Sequence, residues 1–177
     1  MESGGLTLRL YRLRDLPVLH SLLKPEISLE ASGAELKASS LLSFYKWMKT
    51  TFQVVYVIEV EETDGRRIAG FVGLYNMKIG QSLWISLTIF SPEHRRRGYG
   101  AKALELLLDL LQKNGAAETV YAEVSKTNRT SLSFFRKLGF GVSRCYEDSF
   151  VLQKDDGIGS RTANIVNGAK KCFRFWP

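Results

Sequence analysis

The chain has 177 residues, 45% of them hydrophobic, and a formal net charge of +7; this is enough for one domain with its own core and too short for a second catalytic domain. Its two cysteines, Cys145 and Cys172, stand in no ligand-like spacing and only two histidines accompany them, so free thiols in a reducing compartment are expected, with neither a metal site nor a disulfide framework. Residues 1–10 lack the pattern of a signal peptide and no apolar run approaches ~18 residues, which predicts a soluble, cytoplasmic protein with no membrane partner.

Residues 6–13 alternate leucine with Thr7, Arg9, Tyr11 and a fourth polar position, the period-2 pattern of a half-buried strand, and Asp15 is expected to cap a short helix after it. Residues 25–40 carry Pro, Ser and Gly with the carboxylates Glu30 and Glu35 and read as a connector of the kind that covers sites. Leu41, Leu42, Tyr45 and Met48 follow helical spacing. The β-branched and aromatic run 53–62, the turn Asp64-Gly65, the run 67–76 and a second turn near Gly80 then predict antiparallel strands ending at Phe90. Gly70 and Gly73 inside the third strand predict a bulge or a close backbone approach.

The segment Ser91-Pro-Glu-His-Arg-Arg-Arg-Gly-Tyr-Gly100 joins that last strand to a helix whose Leu104, Leu107, Leu108 and Leu111 recur at i, i+3, i+4 and i+7. The helix should stop near Asn114-Gly115. Strand 119–125 follows, placed parallel to the one ending at Phe90 by a right-handed crossover. A helix over 128–138 closes on Gly139, and 140–154 supplies one or two further strands. The expected unit is a single domain over 1–155, followed by a basic, aromatic extension over 156–177.

The positive charge invites a nucleic-acid partner. Much of it is local, however: Arg95, Arg96 and Arg97 sit at the glycine junction, and Arg161, Lys170, Lys171 and Arg174 sit in the last stretch. An anionic cofactor accounts for the first cluster as well as nucleic acid would, and nucleic acid is not the expected partner. Gly98 and Gly100 can take backbone angles closed to other residues, so several N–H groups can converge on an anion at the helix start. The third glycine of a dinucleotide fingerprint is missing, and no Gly-Lys-Ser/Thr supports a P-loop.

Pro92, Arg95, Gly98, Gly100 and the leucine helix resemble motif A of the GNAT N-acetyltransferases, whose pattern reads Arg/Gln-x-x-Gly-x-Gly/Ala. Asn128, Ser131, Phe134 and Lys137-Leu-Gly-Phe140 are similar to the family's second motif, at the expected distance downstream. The resemblance covers roughly residues 6–154. It implies the acyl-CoA N-acyltransferase fold, an α/β (α+β) arrangement with a mixed, mostly antiparallel central sheet, helices on both faces and one splayed parallel strand pair.

The resemblance further implies acetyl-CoA as cosubstrate. Backbone groups of Ile89 and Phe90 would hold its pantetheine and acetyl ends, Arg95, Arg96, Arg97, Gly98, Tyr99, Gly100 and Ala101 would receive the pyrophosphate, and Asn128 would contact the pantetheine arm. The family's usual tyrosine acid falls at Phe135, which has no proton to give. Tyr121, Ser133 and Tyr146 remain as donors, with water as an alternative. For the base, Glu123 and Glu59 remain, Glu123 sharing a strand face with Tyr121 and Ser125. Trp84, Phe90, Phe134 and Phe135 read first as core, Cys145 as a small apolar filler, and His20 and His94 as surface histidines.

The expected activity is acetyl transfer from acetyl-CoA to a primary amine of an unidentified acceptor: an amino sugar, a polyamine or a protein amine. The alternative is a noncatalytic acyl-CoA-binding or nucleic-acid-associated module that kept the fold. Exposed aromatics in the tail leave a homodimer contact and an intramolecular dock both open.

Overall fold

The structure, a computed structural model, describes residues 1–3, 5–23 and 40–155; Glu30, Glu35, Cys172 and the C-terminal extension lie outside them. In chain order the elements are β1 (Glu2–Ser3), β2 (Leu6–Leu10), α1 (Leu16–Leu22), α2 (Leu41–Thr51), β3 (Val54–Glu62), β4 (Gly65–Lys78), β5 (Gln81–Ile89), α3 (Tyr99–Lys113), β6 (Ala117–Ser125), α4 (Arg129–Lys137), β7 (Gly141–Cys145) and β8 (Ser149–Asp155). The strands form one sheet in the order β1-β2-β3-β4-β5-β6-β8-β7. Among the described residues only β5 and β6 pair in parallel, as the intervening helix requires.

Strand alternation gives the sheet two buried faces. On one, Leu104, Leu107 and Leu111 of α3 and Leu132 and Phe135 of α4 pack with Ile58, Leu74, Leu83 and Ile85. On the other, Leu16 and Leu19 of α1 and Phe44 and Met48 of α2 cover Val57 and Phe71. Each such side chain contributes on the order of 1.5–3 kcal/mol by leaving water, so both helical layers are fixed to the sheet by burial rather than by propensity.

Gly70 and Gly73 of β4 are close approaches. The register jumps from Ile58↔Gly70 to Glu59↔Ile68, which bulges Ala69, and a Cβ on Gly70 would lie 2.0 Å from the Thr88 carbonyl oxygen. A Cβ on Gly73 would lie 2.3 Å from the Phe52 ring.

Three expectations need correction. Asp15 gives α1 no side-chain cap; its Oδ2 accepts from the Arg12 N–H at 2.7 Å, upstream, and both oxygens bind the Arg9 guanidinium at 2.7 and 2.9 Å. Burial opposes ionisation of Asp15, but those donors outweigh it and hold the carboxyl below its ordinary range. β2 therefore stops at Leu10, where the chain turns so that Asp15 can meet Arg9. Secondly, Cys145 is disulfide-bonded rather than a free thiol. Thirdly, His94 is buried, at 7% exposure.

Candidate functional site

β5 and β6 are register partners from Gln81↔Ala117 to Trp84↔Tyr121, and there their pairing ends. β5 runs on to Ile89 against β4, while β6 runs on to Ser125 against β8. The two strands thus separate after one shared stretch, and over residues 85–89 the side of β5 turned toward β6 has no strand to pair with. Main-chain N–H and C=O groups need partners, so an amide-bearing chain can lie along this opening as a strand would.

At the end of the opening, Pro92–His94 makes a 3-10 turn in which the His94 N–H reaches Ser91 O at 3.0 Å and the Arg95 N–H reaches Pro92 O at 3.1 Å. Arg96 (φ 60°) and Gly98 (φ 80°) then take left-handed backbone angles and re-aim the chain into α3. The first helical bond is Lys102 N–H to Gly98 O, at 3.0 Å. Among the described residues nothing accepts from the N–H groups of residues 96–101, no side chain caps α3 and no acidic residue occupies its first turn. A helix start of this kind presents unpaired donors and about half a positive charge, and exposed Arg96 and Arg97 add to it. It can hold a diphosphate. Beneath it, a Cβ on Gly100 would lie 3.4 Å from Leu87 and 3.7 Å from Ile89 of β5, and 3.5 Å from Phe134 of α4, so the cradle and the strand opening are contiguous.

The sequence-predicted residues divide. Gly98, Tyr99, Gly100 and Ala101 form the helix start, with Arg96 and Arg97 beside it. Arg95 instead turns back on β5: its Nε donates to Ile89 O at 3.2 Å and its Nη2 to Phe90 O at 3.3 Å. Phe90 also donates its N–H to Ala69 O at 2.9 Å, so both of its backbone groups are engaged within the protein. Asn128 caps α4, its Oδ1 accepting from the Ser131 N–H at 3.0 Å, at the point where the chain leaves β6.

Among the proton-transfer candidates, Glu123 is exposed on the face of β6 opposite α3 and accepts from Ser149 Oγ at 2.7 Å. Tyr121 lies two residues before it on the same face. Tyr146 is half exposed in the β7–β8 turn. Phe135 is buried among Phe134 and Phe140, with ring centres 5.1 and 5.0 Å away. Glu59 is held by Arg9 at 2.6 Å on β3, two strands from the opening.

Sequence reasoning missed His94. Its Nε2 lies 2.7 Å from Glu62 and its ring centre 6.1 Å from that of Tyr99, which seats the turn before α3 on β3. Its place between a proline turn and three arginines gave no signal of burial.

The family model described as the acetyltransferase (GNAT) family matches residues 18–140. A [ribosomal protein bS18]-alanine N-acetyltransferase of Escherichia coli is 29% identical over 103 residues, covering 54% of this chain and 65% of that protein's length; an N-alpha-acetyltransferase 50 of Danio rerio is 33% identical over 49 residues, 28% of this chain and 29% of that protein. Among solved structures, a spermidine N-acetyltransferase from Vibrio cholerae in complex with CoA and spermine superposes with a TM-score of 0.70 at 19% identity, over 86% of this chain and 96% of the other. A ribosomal L7/L12 alpha-N-protein acetyltransferase in complex with coenzyme A does so with a TM-score of 0.74 at 15% identity, over 86% and 95%. At these identities the structural matches show a shared fold.

Proposed function

The chain belongs to the GNAT acetyltransferase family, and from that premise we propose that residues 1–155 are an N-acetyltransferase unit using acetyl-CoA to acetylate a primary amine. The observation that carries this reading is the uncapped, acid-free start of α3 opening onto the separated ends of β5 and β6. A coenzyme whose diphosphate is followed by an amide-bearing arm fits both features in that order.

The N–H groups of Gly98, Tyr99, Gly100 and Ala101 would hold the diphosphate, with Arg96 and Arg97 raising the local positive potential. The open side of β5, with Leu87 and Ile89 on its α3 face, would take the arm. When bound, acetyl-CoA supplies an acyl group activated as a thioester. This chain's residues must then align the acceptor, take one proton from its nitrogen and allow the departing thiolate to be protonated. Glu123 is the carboxylate on the far face of the opening and the base in this reading. Phe135 offers no proton, so the thiolate's proton comes from Tyr121 or from water.

The buried Phe135 is also the observation that favours a second reading, a noncatalytic acyl-CoA-binding module. Thiol release from acetyl-CoA with an alanine-initiated peptide amide, spermidine and an amino sugar as acceptors separates them. The enzyme reading expects turnover with at least one acceptor and a loss of about 10²-fold in Glu123→Gln. Tight acetyl-CoA binding with no turnover on any acceptor would leave the noncatalytic module.

A further inference from the structure

Trp84 and Tyr121 belong to neither apolar cluster, although both are half-buried. They are register partners on the last paired rung of β5 and β6, and their ring centres lie 5.3 Å apart with planes 30° from parallel. Tyr75, opposite Trp84 on β4, extends the row at 6.0 Å. Because Leu83, Ile85, Val120 and Ala122 alternate with these residues and pack toward α3, the row stands on the opposite face, away from the phosphate cradle.

Along that face toward the strand ends the side chains become small and hydroxylic: Ser86 and Thr88 on β5, Ser125 on β6 and Ser149 on β8, all half-buried. Glu123 stands among them, one alternation beyond Tyr121, its carboxylate held by Ser149 Oγ at 2.7 Å. It is also a source of the negative potential at Tyr75, whose hydroxyl is pushed up to about 12, first by burial and then by Glu123. Tyr75 packs against the cluster under α1 and α2 and anchors the row, while Trp84 and Tyr121 continue it outside both clusters as a shelf that ends at a carboxylate beside the strand opening.

Ring faces attract cations through the aromatic quadrupole within about 6 Å, and a neighbouring carboxylate completes the charge match. Resting on the acetyltransferase reading, we propose that the shelf of Tyr75, Trp84 and Tyr121, with Glu123 at its end, receives the acceptor as an alkylammonium ion, so that Trp84 and Tyr121 set acceptor preference. The ammonium gives one proton to Glu123. The N–C bond then forms as the C–S bond breaks, and the nitrogen's second proton passes through solvent to the departing thiolate, leaving a neutral amide and a thiol. Acceptors with weakly basic nitrogens are disfavoured because they arrive uncharged.

The test is an NMR titration of the Trp84 indole signal with tetramethylammonium chloride, a cation that cannot be acetylated, at constant ionic strength, with tert-butanol as its neutral counterpart. The expected result is a saturable shift with tetramethylammonium and none with tert-butanol. For the variants the signals of Glu123 and Tyr121 neighbours are followed: Trp84→Leu and Tyr121→Leu weaken the binding by about 10-fold or more, Glu123→Gln weakens it, and Trp84→Phe and Tyr121→Phe, which keep a ring face, retain most of it. Equal shifts from both probes, or undiminished binding in folded Tyr121→Leu, would overturn the proposal. The titration is run with and without acetyl-CoA. A protein that ignores acetyl-CoA but binds tetramethylammonium loses the acetyltransferase reading alone; one that acetylates amines yet ignores tetramethylammonium loses the shelf alone.

Discussion

Arg95 folds back onto the strand that precedes it, donating from Nε to the carbonyl of Ile89 at 3.2 Å, with Nη2 reaching the next carbonyl at 3.3 Å. The first arginine of the run Arg95–Arg97 thereby ties the cradle to the end of β5. Its fork spans two consecutive carbonyls, which a lysine ammonium does not match.

Arg95→Ala therefore should lower stability by roughly 1–2 kcal/mol, the worth of two net hydrogen bonds, and weaken acetyl-CoA through loss of strand position. Arg95→Lys should recover little. Arg97, exposed and beside the helix start, should behave oppositely, Arg97→Ala weakening acetyl-CoA with no change in the urea midpoint. Urea unfolding and calorimetric titration of the three variants check this; equal stability losses at both positions would contradict it.

Two glycine substitutions should differ in kind. Gly98 takes φ 80° with nothing within 4 Å of a Cβ, so Gly98→Ala costs only the left-handed backbone, about 1–2 kcal/mol, and remains folded. At Gly70 a Cβ would lie 2.0 Å from the Thr88 carbonyl oxygen. Gly70→Ala must push β4 from β5, costing about 1–3 kcal/mol or more and disturbing the strand that lines the opening. Thermal unfolding ranks the two.

Asp15 should govern acid stability. Its pKa is held below the unfolded value, so its contribution is present above the ordinary aspartate range and is lost as pH falls through the depressed value. Urea midpoints measured downward from pH 6 should fall steeply below about pH 4 in the parent, and more gently in Asp15→Asn, which is the weaker protein at neutral pH. Parallel curves would show that Asp15 is not the group responsible.

Much of this architecture was legible because it rests on local rules. The leucine stripe of α3, the turn at Asp64-Gly65 and the parallel placement of β6 follow from periodicity, turn chemistry and crossover handedness. The helix start at Gly98 was legible because few residues tolerate its backbone angle. Asp15 misled because its choice between a helix N–H and the Arg9 guanidinium is made by the sheet, which brings Arg9 back beside it. Arg95 and His94 were unreadable for a related reason: a charged run does not say which side chain turns inward, and burial of His94 depends on Glu62, 32 positions away. Trp84 was expected as core; only the register of β4, β5 and β6 shows that it lies outside both clusters, stacked between Tyr121 and Tyr75, the last of which packs against the second cluster.

The most direct measurement is calorimetric titration with acetyl-CoA of the parent protein and of Gly100→Glu, with ATP and NAD as controls. Gly100 has room for a Cβ, with ordinary contacts of 3.4 Å or more, so the variant should fold while setting a carboxylate at the start of α3. Selective, saturable binding by the parent and a loss of at least about 10-fold in the variant is the predicted result. Equal binding by both, or no binding by the parent, would contradict the assignment of this junction as the acetyl-CoA cradle.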